Sequence, residues 1–271
     1  MRCFRSTFWI LVGTCAPLLA SACNRADAAS DKASTPAAST PLQGAGAPAT
    51  VAATVAATVA APVAAPPAAL AGGGTNAADS LGDSLLIAKA DRGRLMGRDS
   101  GAIWVVMISD FQCPYCRQWH DASMESVKRD YVNTGRVRLA YLNLPLPQHK
   151  FARAEAEASM CAAVQNQFWP FASGLFQRQG ALSKIAAIQP MLDTLARSLS
   201  LNMPEFGKCQ KREAIRALVE SDAQQAGRAG VRSTPSFLVG DFLVEGAVPY
   251  ADFRKAIDTA LVLAQKAKRS R

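Results

Sequence analysis

The sequence predicts an α/β domain, helices packed on a central sheet, from about residue 81 to the C-terminus. Three observations carry that expectation. Ala102 to Ser109 (A-I-W-V-V-M-I-S) is an unbroken apolar run rich in β-branched residues, the pattern of a strand covered on both faces. Strand and helix patterns then alternate, with a long helical stretch in the middle. Near the end, two short apolar runs flank Gly240-Asp241, the signal of a hairpin.

Each element has a local reason. Pro114 opens a helix running to about Asn133, because proline suits a first turn and Thr134-Gly135 stops the run. Val137 to Leu142 is a second strand. The helical stretch follows as Phe151 to Asn166, Pro170 to Gln179, and a segment that Ser183 would N-cap before Lys184. Pro190 starts another helix, with Met191, Leu195 and Leu199 on one face, and Gln210 to Ala229 is the last of this set. Ser236 to Val239 and Phe242 to Glu245 form the hairpin. Tyr250 to Lys268 closes the chain as an amphipathic helix.

The chain has 271 residues, a formal charge of +9 and seven cysteines, and 49% of it is hydrophobic. That apolar content is uneven. No Phe, Tyr or Trp occurs between Trp9 and Trp104, so the first third lacks the side chains that dominate core energetics. One domain of ordinary size remains.

Residues 1–22 read as a signal peptide: a basic start with Arg2 and Arg5, an apolar stretch from Phe8 to Ala20, and small residues at Ala20-Ser21-Ala22. The stretch is too short to cross a bilayer as a helix of ~20 residues. Ala20-Ser21-Ala22-Cys23 resembles a bacterial lipobox, which implies a lipidated Cys23 at the mature N-terminus. The family prefers Leu where Ala20 stands, and ordinary cleavage after Ala22 is the alternative. Either way the chain is exported to the periplasm, with the lipid as its membrane contact, and Cys3 and Cys15 leave with the leader.

Residues 23–80 read as a disordered tether rich in Ala, Pro and Thr. Val51-Ala-Ala-Thr54 recurs in four successive copies, the last two ending in Pro62 and Pro66, and Gly72-Gly73-Gly74 follows. Such a composition buries too little surface to offset chain entropy. The positive charges downstream are dispersed along helices. Without a basic stripe interleaved with aromatics, nucleic acid is not an expected partner.

The chemistry gathers at the end of the first strand. Cys113-Pro114-Tyr115-Cys116 is a C-x-x-C whose first cysteine falls at a strand-to-helix junction. Unpaired backbone N–H groups and the helix dipole there stabilise an anion, so Cys113 should ionise readily. Two intervening residues let a disulfide close within one helical turn, with Cys113 attacking and Cys116 resolving. A zinc site would need more ligands, and only His120 and the distant Cys161 or Cys209 are available. A c-type haem is excluded because Arg117 stands where histidine is required. A plain structural disulfide is the remaining rival.

Asp110-Phe-Gln-Cys113-Pro-Tyr-Cys116 resembles the active-site segment of the DsbA-like thiol:disulfide oxidoreductase family. Gly230-Val-Arg-Ser-Thr234-Pro235-Ser-Phe-Leu-Val239-Gly240 is similar to its cis-proline loop and hairpin, and Gly246 to Phe253 to its entry into the final helix. The resemblance covers roughly 90–271. It implies a thioredoxin fold with a helical insertion, about 145–229, between the second strand and the cis-proline loop. It also implies a cis Pro235 and a Thr234 backbone that pairs with extended substrate beside Cys113. Exported proteins with thiols or disulfides would be the substrates, a membrane protein a possible redox partner, and no metal or organic cofactor is implied. Some members are similar in carrying a second bridge between insert helices. Cys161 and Cys209 are therefore candidates for a disulfide, or else two buried thiols.

The sequence departs from the family's prototype at Tyr115, where that protein has a histidine. Tyrosine brings no positive charge, so the thiolate should be less favoured. Formation or exchange of disulfides is the leading reading. A reductase or isomerase kept reduced by a membrane partner is the alternative, and a non-catalytic tethered module the third. His120 and His149 are candidates to tune the thiols, Phe168-Trp169-Pro170-Phe171 reads as insert core, and Asp110 sits near the loop with no assigned role.

Overall fold

The computed structural model of the chain describes residues 77–270. The signal peptide at 1–22, the candidate lipid-bearing Cys23, and Cys3, Cys15 and the tether up to residue 76 lie outside the described residues.

Five strands form one sheet in the order β1-β3-β2-β4-β5. Strand β2, Ile103–Ser109, is flanked on both sides, as its unbroken apolar composition requires. It runs parallel to β3, Val137–Asn143, from Ile103 opposite Val137 to Ser109 opposite Asn143. On its other side β4, Ser236–Val239, pairs antiparallel, and β5, Phe242–Glu245, folds back on β4 through Gly240 at φ +56°. A two-residue strand β1, Leu95–Met96, pairs antiparallel with β3 at the far edge. So short a strand has no local signal in the sequence.

Helix α2 follows β2 from Pro114 and ends at Val132, but it is not uniformly α-helical. Pro114–Trp119 and Glu125–Val127 are α-helical, whereas His120–Met124 and Lys128–Val132 are π-helical turns. The sequence spacing explains them. Trp119 and Met124 are five residues apart, as are Val127 and Val132, and all four are buried. A regular α-helix would turn the fifth residue away from the core. The wider i→i+5 turn brings it back onto the same face. Trp119 then packs 4.4 Å from Phe237 of β4 and 5.0 Å from Phe253.

The insert comprises α3 (Ala152–Val164), α4 (Phe168–Arg178), α5 (Gln189–Ser198), α6 (Met203–Gln210) and α7 (Glu213–Arg228). Ser183 caps no helix. It lies in a 3-10 turn, Gln179–Lys184, and the next helix starts only at Gln189, where Pro190 fits the first turn. The helix expected from Gln210 starts at Glu213, because Gln210 ends α6, which the sequence did not announce. Asn202 caps α6, its Oδ1 accepting the Glu205 N–H at 3.1 Å. A disulfide joins Cys161 of α3 to Cys209 of α6. Phe168 and Phe171 are buried in the insert core, with Trp169 half-buried beside them.

Helix α1, Ala77–Gly93, was also unannounced, and it corrects the C-terminal bound of the expected tether, because residues 77–80 form its first turn rather than disordered chain. It lies against α3 so closely that a Cβ on Gly93 would collide with the Ala163 carbonyl. Arg94, just past α1, is buried. It donates to Asp222 of α7 at 2.5 Å and to Asp91 at 2.5 Å. Asp222 also accepts the backbone N–H and side-chain amide of Asn143 at the end of β3, at 3.1 and 3.0 Å. Helix α8, Tyr250–Arg269, covers the other face of the sheet with Phe253, Ile257 and Leu261. No helix among the described residues is long and apolar enough to cross a membrane.

Candidate active site

Four residues, Asp110 to Cys113, carry the chain from β2 into α2. Cys113 occupies the N-cap in extended geometry, φ −69° and ψ 120°, and its carbonyl accepts the first helical bond from Arg117 at 3.2 Å. Its Sγ–H donates to the carbonyl of Thr234 at 3.3 Å. Cys116 lies one turn on, buried at 2% exposure. Both are free cysteines here. Tyr115 points outward, 63% exposed.

The two thiols are driven in opposite directions. Cys113 is brought down to about 5, first by the hydrogen bond from the Cys116 thiol, against the opposing effect of burial. The side-chain hydroxyl of Thr234 and the backbone N–H groups of Cys116 and Tyr115 add to that stabilisation of the thiolate. Cys116 is pushed far up, first by burial and then by its thiolate neighbour. The pair is therefore asymmetric: one ready nucleophile and one thiol that holds its proton.

Thr234-Pro235 is the cis peptide among the described residues. It lies directly before β4, whose antiparallel pairing with β2 brings Thr234 across from Cys113.

The loop is anchored from the insert side at three points. Buried Asp110 accepts the backbone N–H of Gln112 and of Leu146, each at 2.7 Å, and its Oδ2 is 2.7 Å from His149 Nδ1. Gln112 Oε1 accepts the Phe151 N–H at 3.2 Å, at the start of α3. Gln179 Nε2 donates to the carbonyls of Phe111 at 2.8 Å and Cys113 at 3.0 Å. Asp110 thus has the role that its sequence position left open, and His149 acts on it. His120 turns to the insert instead, 3.1 Å from Ser173 Oγ with its ring 4.8 Å from Phe176.

Glu155 was not among the residues expected at the site. It sits on α3 beneath the loop, fully buried, with neither carboxylate oxygen hydrogen-bonded within 3.5 Å. Burial pushes it up to about 8, with Asp110 adding to the rise and the Gln112 amide opposing it. A signal existed: Ala152, Ala156, Ser159 and Ala163 form one buried stripe at helical spacing, and Glu155 falls on it.

Among the described residues no group of three or more His, Cys, Asp or Glu could hold a metal ion. Cys161 and Cys209 are committed to each other, and His120 to Ser173 and Asp121.

A thioredoxin fold with a C-x-x-C at a β–α junction defines a thiol:disulfide oxidoreductase. The family described as Thioredoxin matches residues 89–259, and the chain belongs to it. Disulfide bond formation protein D of Bacillus subtilis is 24% identical over 170 residues, covering 62% of this chain and 76% of that protein. The crystal structure of oxidised BdbD from Bacillus subtilis superposes with a TM-score of 0.56 at 22% identity, over 62% of this chain and 92% of that one. Wolbachia pipientis α-DsbA1 gives a TM-score of 0.57 at 19% identity, over 64% and 93%.

Proposed function

We propose that this enzyme forms or exchanges disulfides in exported proteins through Cys113 and Cys116. The Cys113 thiolate attacks a substrate disulfide, or its disulfide with Cys116 is attacked by a substrate thiolate. Either route passes through a mixed disulfide on Cys113: in the first Cys116 attacks Cys113 and releases the substrate thiolate, and in the second another substrate thiolate attacks the substrate sulfur and releases the reduced Cys113. Pro114 occupies the first helical turn without a lost N–H, and Tyr115 presents its ring to solvent next to the sulfur. Thr234 and Pro235 receive the substrate backbone as an added strand.

The observation that carries this reading is the contact of Cys113 Sγ with the Thr234 carbonyl at 3.3 Å, with Cys116 buried behind it. It sets a depressed thiol against a backbone edge that an extended chain can pair with. Equilibration of the purified protein with glutathione over a range of ratios tests it. A single two-electron transition that vanishes in Cys113→Ser is expected; a Cys113→Ser protein with unaltered thiol exchange would refute it.

The cellular setting follows from the leader. In this reading the chain is exported, held at a membrane by a lipid on Cys23, and the residues between that anchor and α1 let the domain reach its substrates. Mass spectrometry of the N-terminal peptide from membranes tests the lipid, and an unmodified peptide starting at Cys23 would leave a soluble periplasmic enzyme.

A further inference from the structure

A cleft of about 400 Å³ opens between the active-site loop and the insert. Phe151, Leu182 and Ile185 supply its apolar surface, each half-buried against the core on its other side. Gln112 and Gln179 supply amides, and Lys150 is the cation at the rim, its Nζ 4.6 Å above the Phe151 ring. No carboxylate is among the lining residues.

The cleft adjoins the reactive sulfur through two of its residues. Gln112 immediately precedes Cys113 in the chain, and Gln179 bonds the Cys113 carbonyl at 3.0 Å. Cys113 therefore joins two surfaces, its sulfur meeting Thr234 and its carbonyl the wall of the cleft. A strand added along Thr234 gains main-chain hydrogen bonds that are indifferent to sequence, and pockets for its side chains supply selectivity. Side chains two residues apart on an extended chain lie about 6.8 Å apart on one face, so neighbours of a bound cysteine come within reach of the cleft.

We propose that this cleft is a specificity subsite for the substrate polypeptide. It takes a large apolar or aromatic side chain within two or three residues of the reacting cysteine, beside an acidic residue that pairs with Lys150. The subsite rests on the function proposed above and adds a substrate class to it: amphipathic segments carrying aromatic and acidic neighbours to their cysteines. Apolar walls with a few polar groups at the rim suit such a side chain, and the cation without a neighbouring carboxylate selects the sign of the adjacent charge.

Full-chain protein carrying Cys116→Ala tests this, because it can form the mixed disulfide and not resolve it. The probes are two peptides of equal length, each with one cysteine as its mixed disulfide with glutathione. One has Phe and Glu next to the cysteine, the other Gly and Lys. The Cys113 thiolate attacks the peptide sulfur and forms a new S–S bond. The peptide–glutathione S–S bond breaks, and glutathione leaves as a thiolate that takes a proton from water. No net electrons are exchanged, and the trapped complex is read by mass.

The Phe/Glu peptide is expected to be trapped about tenfold faster, the ratio that ~1.4 kcal/mol of side-chain burial and charge pairing gives. Leu182→Glu should bring that ratio close to one. Lys150→Glu, at an exposed side chain, should lower or invert it. Equal trapping of the two peptides, or a ratio that neither substitution moves, would overturn the subsite. Oxidised glutathione on the same protein separates the two levels. If it reacts with Cys113 while the peptides are not distinguished, only the cleft is refuted. If Cys113 is inert toward it, the proposed function falls, and the subsite falls with it.

Discussion

The side-chain amide of Gln179 bonds the carbonyl of Cys113, so a residue of the helical insert holds the backbone of the reactive cysteine. The same amide also bonds Phe111, which stacks on Tyr141 at 5.1 Å. The insert is thus part of the active-site frame.

Gln179→Ala should cost about 1–2 kcal/mol of stability, the net worth of two hydrogen bonds, read as a shift of the denaturant midpoint at constant slope. The loss should be larger in the protein than the solvent exposure of the position suggests. A midpoint equal to that of the unsubstituted protein would show that water replaces the amide at no cost.

The alkylation rate of reduced Cys113 against pH should rise with a midpoint near pH 5. Cys116→Ala removes the hydrogen bond that lowers Cys113 most, so the midpoint should move up toward that of an ordinary thiol. The sign for stability follows. A depressed thiol stabilises the reduced fold above its unfolded pKa, and that stability is lost as pH falls through about 5.

Glu155 acts in the opposite direction. Its folded pKa is raised to about 8, so its contribution is fully present below the unfolded carboxyl range and is lost as pH rises through about 8. In the oxidised protein, where the Cys113 thiolate is absent, Glu155→Gln should flatten the decline of stability between about pH 5 and pH 8. The gain at the alkaline end should be on the order of a few kcal/mol. Urea melts at stepped pH check it, and parallel curves for the two proteins would contradict the assignment.

Asp222→Ala should cost about 2–4 kcal/mol, because it leaves the buried Arg94 guanidinium with Asp91 as its one carboxylate and also removes the acceptor of Asn143. Pairing it with Arg94→Met should recover most of the loss. Thermal melts of the two single variants and the double variant measure the coupling.

Much of the fold could be read in advance because local patterns carry it. The β-branched run of β2, Pro114 at the head of α2 and the hairpin around Gly240 each depend on a few adjacent residues. The placement of Cys113 at a strand–helix junction was likewise local. What escaped was set by distant partners. Helix α1 has no aromatic residue to mark a buried face, and β1 is a strand only because β3 offers an edge. Helix α6 has Pro204 in its first turn and Gly207 inside, so composition reads it as a loop. Glu155 and Asp222 look like the solvated charges around them, because a sequence does not say what lies opposite each helix face. The three anchors of the active-site loop join residues 36 to 68 positions apart, beyond any local pattern.

The close approach of Gly93 to Ala163 bears on how this domain can be cut from its chain. A fragment trimmed to the family-matched residues would begin at 89 and discard most of α1. Gly93 and the fully buried Ala90 would remain, but on a single turn of helix too short to hold itself against α3. The smallest piece that retains this packing starts no later than Ala77.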